Sequence, residues 1–175
     1  MGESFAMKPA FFALCFGLLI PLAGCTDDGR PELVEATGTV KLNGEPVADA
    51  WIFFMPEAGN PIMRPSRART DSEGNFRLST YGKGDGIPPG KYKVGIEKRQ
   101  LVGELPPDYN PEAPNANRLT HQWITPKDLA NPETSGLEAL VTSSGLEPAV
   151  FELKRPGKPE IETTGGETRY AAGGP

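Results

Sequence analysis

Histidine is almost missing from this sequence: one residue, His121, stands in 175. That scarcity argues against most histidine-based metal binding and acid–base chemistry. Cysteine is nearly as scarce. Cys15 and Cys25 are the only two, too few for a dense disulfide scaffold or a four-ligand zinc site. Excess positive charge is absent as well. The 18 basic and 23 acidic residues leave a net charge of −5, which excludes a general nucleic-acid binder. Long apolar runs are missing but for one near the start, and no window outside it sustains a helical period. What is abundant is the opposite of helix: 21 glycines and 19 prolines, the two worst residues for a helix interior. The length suits one domain with appendages.

The one apolar run, Phe11 to Leu22 (FFALCFGLLIPL), follows Lys8 and is interrupted by Pro21. It is short for a membrane span, and a basic residue, a short apolar stretch and then small residues make the layout of a secretory signal. The small residues Leu22-Ala23-Gly24 lead straight into Cys25, after which Thr26-Asp27-Asp28-Gly29 is polar at once. This resembles a bacterial lipobox, which implies that residues 1–24 are a cleaved signal peptide and that Cys25 is the lipidated first residue of the mature chain. Met7-Lys8 would begin a more typical signal than Met1-Gly2-Glu3. Cys15 would then be discarded, and the mature protein would hold no disulfide. Removing 1–24 takes away Glu3 and Lys8 and leaves the charge at −5. Acyl chains contribute roughly 0.8 kcal/mol per buried methylene, enough together to anchor the chain to a membrane. By the sorting rule of enteric bacteria, Thr26 after the cysteine favours the outer membrane, with the domain in the periplasm or at the cell surface.

After a polar tether, residues 25–34, the chain breaks into short strands punctuated by turns. Gly38–Leu42 alternates and ends at Asn43-Gly44, a tight hairpin signal. Ala50–Met55 is a strand stopped by Pro56, and Ala68–Thr70 is a brief one ending at the turn Asp71-Ser72-Glu73-Gly74. Asn75–Ser79 points Phe76 and Leu78 inward, and Lys91–Glu97 does the same with Tyr92, Val94 and Ile96. Leu137–Thr142 and Ala149–Lys154 complete about seven strands, as in a sandwich. Residues 99–136 form a long proline-rich excursion, a packed flap or a structureless loop. The tail, 156–175, is polar and Gly-rich and reads as disordered.

Gly38-Thr39-Val40, Asn43-Gly44-Glu45-Pro46-Val47, Asp71–Phe76 and Pro89-Gly90-Lys91-Tyr92-Lys93-Val94, taken in order, resemble the carboxypeptidase regulatory-like domain. The likeness spans roughly residues 35–154 and is closest to a subgroup of small lipoproteins abundant in planctomycetes. It implies an all-β, seven-stranded transthyretin-like or immunoglobulin-like β-sandwich over residues 35–155, interrupted by the excursion. Some transthyretin-like proteins hydrolyse hydroxyisourate, which needs several histidines and a Tyr-Arg-Gly-Ser end. This chain has neither, its end reading Thr168-Arg169-Tyr170-Ala171-Ala172. The resemblance therefore implies a structural or interacting domain with no cofactor.

The residues with chemistry read mostly as scaffold. His121 is expected as a solvent-facing loop residue. Asp71, Glu73 and Asp85 lack the alternation of a calcium loop and read as turn residues. Gly82-Lys83-Gly84-Asp85-Gly86 lacks the ending of a phosphate loop and reads as a flexible turn. Ser66, Ser79 and Ser135 have no nucleophile context. Arg64, Arg67 and Arg69 read first as a solvated loop, with contact to anionic polymer or lipid headgroups as the alternative. The strand at Trp51 is the oddity. If Ile52 and Phe54 face the core, then Trp51, Phe53 and Met55 line the opposite, usually wet, face. The expectation is that the excursion, with Leu105, Tyr109, Trp123 and Ile124, folds over and covers it; the alternative is an exposed binding face. The function expected is a non-enzymatic lipid-anchored envelope protein, a structural or protein-interaction module. The alternative is a carbohydrate-binding module using Trp51, Phe53, Tyr109 or Trp123. The partners expected are a membrane through the lipid on Cys25, and an envelope protein or polysaccharide.

Overall fold

The computed structural model describes residues 1–2, 31–110, 112 and 118–165. Residues 3–30, with most of the expected signal segment and Cys25, and residues 166–175 lie outside the described residues. The chain divides into two units, Met1–Arg30 and Pro31–Pro175, and the strands, core and site described below belong to the second.

The described residues are all-β, with one 3-10 turn at Lys127–Leu129. Their strands are β1 (Thr37–Leu42), β2 (Glu45–Pro46), β3 (Trp51–Pro56), β4 (Ser66–Arg69), β5 (Asn75–Arg77) and β6 (Gly90–Glu97). The second half adds β7 (Arg99–Leu101), β8 (Leu119–Trp123), β9 (Leu137–Thr142), β10 (Gly145–Glu147), β11 (Val150–Leu153) and β12 (Ile161–Thr164). The seven stretches expected from alternation appear as β1, β3, β4, β5, β6, β9 and β11; β2 and β10 join the same two sheets, and β7, β8 and β12 form a third. β2 and β10 are short returns of tight hairpins. β7, β8 and β12 bury little, so they show no apolar alternation.

Two sheets share the core. In the first, β1 is flanked by β11 and β2 and also pairs with β5. The β1–β11 pair is parallel, from Thr39 opposite Val150 to Leu42 opposite Leu153. The second sheet runs β10-β9-β6-β3-β4, every neighbour antiparallel. Val40, Phe76, Phe151 and Leu153 from the first sheet join Ile52, Phe54, Tyr92, Val94, Ile96 and Val141 from the second in one buried cluster. Across it, the Phe54 and Phe151 rings meet edge to face at 6.2 Å. The inward positions of β3, β5, β6 and β11 are those that alternation predicts, because a two-residue period puts one side of each strand in the core.

Turn chemistry sets the corners. Asn43 and Gly44 both have positive φ, 54° and 93°, as a two-residue hairpin turn requires. The Asp71 carboxylate accepts from the Glu73 and Asn75 amides at 2.9 and 2.8 Å, closing the next corner as a turn residue does.

Three boundaries change. Val34, placed in the tether, exchanges two backbone hydrogen bonds with Ile87 at 2.9 and 3.0 Å, so the ordered domain begins before residue 35. The excursion contributes β7 and β8 to a third sheet, β12-β8-β7. Part of the tail is an ordered strand: β12 pairs with β8, Ile161 opposite Gln122 to Thr164 opposite Leu119. The fastening is polar. Trp123 Nε1 donates to Glu162 at 2.8 Å, and Lys127 Nζ reaches Glu162 at 2.9 Å and Glu160 at 3.4 Å.

Candidate functional site

The outer face of the second sheet carries the most unusual chemistry. On β3, the side that does not enter the core presents Trp51, Phe53 and Met55. The register sets Arg69 opposite Trp51 and Arg67 opposite Phe53 on β4. On β6 it sets Glu97, Gly95 and Lys93 opposite the same three residues. Directly opposite residues on one face of a sheet are close enough to touch.

The described part of the excursion leaves much of this face open, against the expectation that it would be covered. Trp51 stays 40% exposed and Met55 36%, while Phe53 is half-buried. Among the described residues, the excursion reaches β6 through Thr125, whose Oγ1 donates to the Ile96 carbonyl at 3.4 Å, through Glu133, which pairs with Lys93, and through the segment after the 3-10 turn, which packs on Gly95. A Cβ there would lie 2.6 Å from the Ala130 carbonyl oxygen and 2.7 Å from Pro132 Cδ. Ser135 holds the segment down by donating to the Val94 carbonyl at 2.6 Å. Trp123 is buried in the third sheet instead, with Arg99 and Lys127 at 5.3 and 5.8 Å from its ring centre. Leu105 is 52% exposed and Tyr109 half-buried. The reason is local: Trp123 spends its apolar surface and its N–H within its own sheet.

Trp51 is therefore an open aromatic in a cationic setting. Its ring lies 6.4 Å from that of Phe53, their planes 19° apart. Arg69 and Arg67 stand 5.6 and 6.0 Å from its centre. The two arginines are thus on an edge strand, not in the loop expected for them. Arg64 lies 4.4 Å from the centre of the Tyr81 ring.

Beside Trp51 an open groove of about 1060 Å³ runs past Arg67, Arg69, Asn75, Arg77, Tyr81 and Lys83. Its wall, residues 79–86, is not the loose turn the glycines suggest. The Asp85 carboxylate accepts from the amides of Thr80 (2.8 Å), Tyr81 (3.0 Å) and Gly82 (2.6 Å). Burial alone would raise the Asp85 pKa; the amide hydrogen bonds from Thr80, Gly82 and Tyr81 outweigh it and hold the carboxyl below its usual range. Arg77 Nε binds the Gly84 carbonyl at 2.9 Å. Alternation gives no hint of this wall, because one side-chain carboxylate organises it.

The other candidates resolve into structure. Ser66 shares a 2.7 Å hydrogen bond with Thr80, and Ser79 accepts from the Gly84 amide at 2.8 Å. His121 is not in a solvent-facing loop: it is half-buried on β8, opposite Leu101 and Glu162, and its Nδ1 has no hydrogen-bond partner among the described residues. Among the described residues no three His, Cys, Asp or Glu side chains converge as a metal site would need. None of the described helices is long and apolar enough to cross a membrane. No family model matches the chain, and no curated protein or solved structure is significantly similar to it.

Proposed function

We propose that this is a non-enzymatic protein of the bacterial envelope, anchored by a lipid on Cys25, whose β-domain is an interaction module. In this reading the two core-sharing sheets are the transthyretin-like sandwich of a carboxypeptidase regulatory-like domain, seven of its strands being those legible in the sequence. The observation that carries the interaction role is the exposure of Trp51 beside Arg67 and Arg69. An indole left open on a sheet face, beside two guanidinium groups, is the combination enriched where proteins bind partners. The anchor rests on Leu22-Ala23-Gly24-Cys25 closing the apolar run, and an outer-membrane destination on Thr26. Labelling cells with a palmitate analogue tests it: the native chain takes up label and fractionates with membranes, and Cys25→Ala does neither. Equal labelling of the two chains would end the lipoprotein reading.

A second reading, that the ligand is a carbohydrate, is favoured by one specific feature. The Trp51 and Phe53 rings are within 19° of parallel on one side of one strand, and sugar rings pack their C–H faces against aromatic surfaces of that kind. Tyr109 and Trp123 do not join them, so the aromatic seat narrows to β3.

A further inference from the structure

We propose that the groove beside Trp51 binds an acidic polysaccharide, a polymer of carboxylate-bearing sugars. The proposal rests on the carbohydrate reading and names the class of sugar.

The groove's charge differs from that of the protein as a whole. The chain carries −5 overall, yet the groove is lined by Arg67, Arg69, Arg77 and Lys83 against one acid, Asp71. The Asp71 carboxylate is already occupied by the amides of its own turn. Arg67 and Lys83 make no ion pair among the described residues. Arg69 and Arg77 hold Asp49 at 3.3 Å and Glu35 at 3.2 Å, in pairs more than half exposed on both sides. Such pairs are weak in water and can yield to a ligand carboxylate. A cationic furrow on an anionic protein selects an anion.

The aromatic part selects a sugar. A guanidinium matches a carboxylate with two parallel hydrogen bonds, and Arg67 is exposed at 6.0 Å from the centre of the Trp51 ring. A uronic acid can therefore lay its C–H face on the aromatic surface while its carboxylate meets the arginine. The groove is open and its volume, about 1060 Å³, is at or above the upper end for enclosed small-molecule sites. That suits a chain passing along it. A neutral glycan would leave Arg67 and Lys83 without an anionic partner, and a flat bilayer would meet only the rim of the furrow. The wall is held in place before any ligand arrives, by the three amides on Asp85, which lowers the ordering cost of binding.

Calorimetric titration of the full chain in detergent micelles decides the matter, with oligogalacturonate as acidic probe and cello-oligosaccharide as neutral probe. Oligogalacturonate is expected to bind, more weakly as salt rises, and cello-oligosaccharide at least tenfold more weakly. Trp51→Ala and Arg67→Gln should each cost tenfold or more with an unchanged circular dichroism spectrum. Arg67→Lys should recover only part of the loss, because it keeps the charge without the fork. Equal binding of both probes, untouched by Arg67→Gln, would overturn the acidic class and leave the carbohydrate reading standing. Binding of neither would overturn both. Arg67-dependent binding to phosphatidylglycerol vesicles, with none to oligogalacturonate, would assign the groove to lipid and overturn the proposal.

Discussion

Arg69 faces Trp51 directly across the β3–β4 pair, and its guanidinium lies 5.6 Å from the centre of the indole ring. Two residues separated by 18 positions are brought together by register, and Arg67 approaches the same ring diagonally from the position opposite Phe53. The contact keeps a large aromatic in place on an outer face without burying it. Cation–aromatic contacts at such exposed sites contribute about 0.5–1 kcal/mol.

Trp51 should therefore matter little to stability. Phe54, three positions along the same strand, is fully buried against Tyr92 and Phe151. Phe54→Ala is expected to cost about 3–5 kcal/mol, and Trp51→Ala about 1 kcal/mol or less. Urea denaturation of the two variants measures both. A cost at Trp51 equal to that at Phe54 would mean the face is covered after all.

Alkaline stability should depend on Tyr92. Its side chain is fully buried and donates to the Pro88 carbonyl at 2.7 Å. Burial pushes its pKa from 10.0 up to about 12. Above pH 10 the unfolded chain gives up this proton while the folded one keeps it, so stability falls as pH rises. The contribution is whole below pH 10 and is lost through pH 12, by roughly 2–3 kcal/mol. Tyr92→Phe, although less stable at neutral pH, should show a smaller loss between pH 10 and 12 in parallel denaturant titrations. An unchanged slope would contradict the assignment.

How much of the fold is legible in the sequence depends on the range of the cause. Asn43-Gly44 and Asp71–Gly74 act within four residues, so their turns are legible. The two-residue period of Phe76, Leu78, Tyr92, Val94 and Ile96 carries the core faces. The parallel partnership of β1 with β11 joins residues more than a hundred positions apart, and no local pattern marks it. β12 reads as disordered tail because Ile161–Thr164 is mostly polar and its reason for order is elsewhere, on Trp123 and Lys127. At the candidate site, Trp51, Phe53 and Met55 and the cluster containing Arg67 and Arg69 are each legible in the sequence. Their grouping is not, since it follows from the β3–β4 register. The groove wall is hidden because Asp85 looks like one more turn residue.

The fastening of β12 should respond to acid. Lys127 first, then Trp123, hydrogen-bonds the Glu162 carboxylate and holds its pKa below the usual 4.5. A carboxyl depressed in the folded state stabilises above its unfolded value, and the effect is lost as pH falls below 4.5. Amides of residues 161–164 should then lose protection from hydrogen exchange before those of β6 do, after correction for the intrinsic rate. Glu162→Gln should show the same loss at pH 7. Uniform loss over both strands would show that no local fastening exists.

The most direct test of an open, cationic Trp51 is fluorescence quenching of the full chain by iodide and by caesium. The chain has two tryptophans, one exposed beside Arg67 and Arg69 and one buried beside Glu162. Positive neighbours concentrate anions and repel cations. Iodide should quench about one of the two emitters strongly, caesium should do so weakly, and Trp51→Phe should leave only the slowly quenched residue. If Trp51→Phe leaves iodide quenching unchanged, or if caesium quenches as well as iodide, Trp51 is not the open aromatic of a cationic groove and the proposed site fails at its centre.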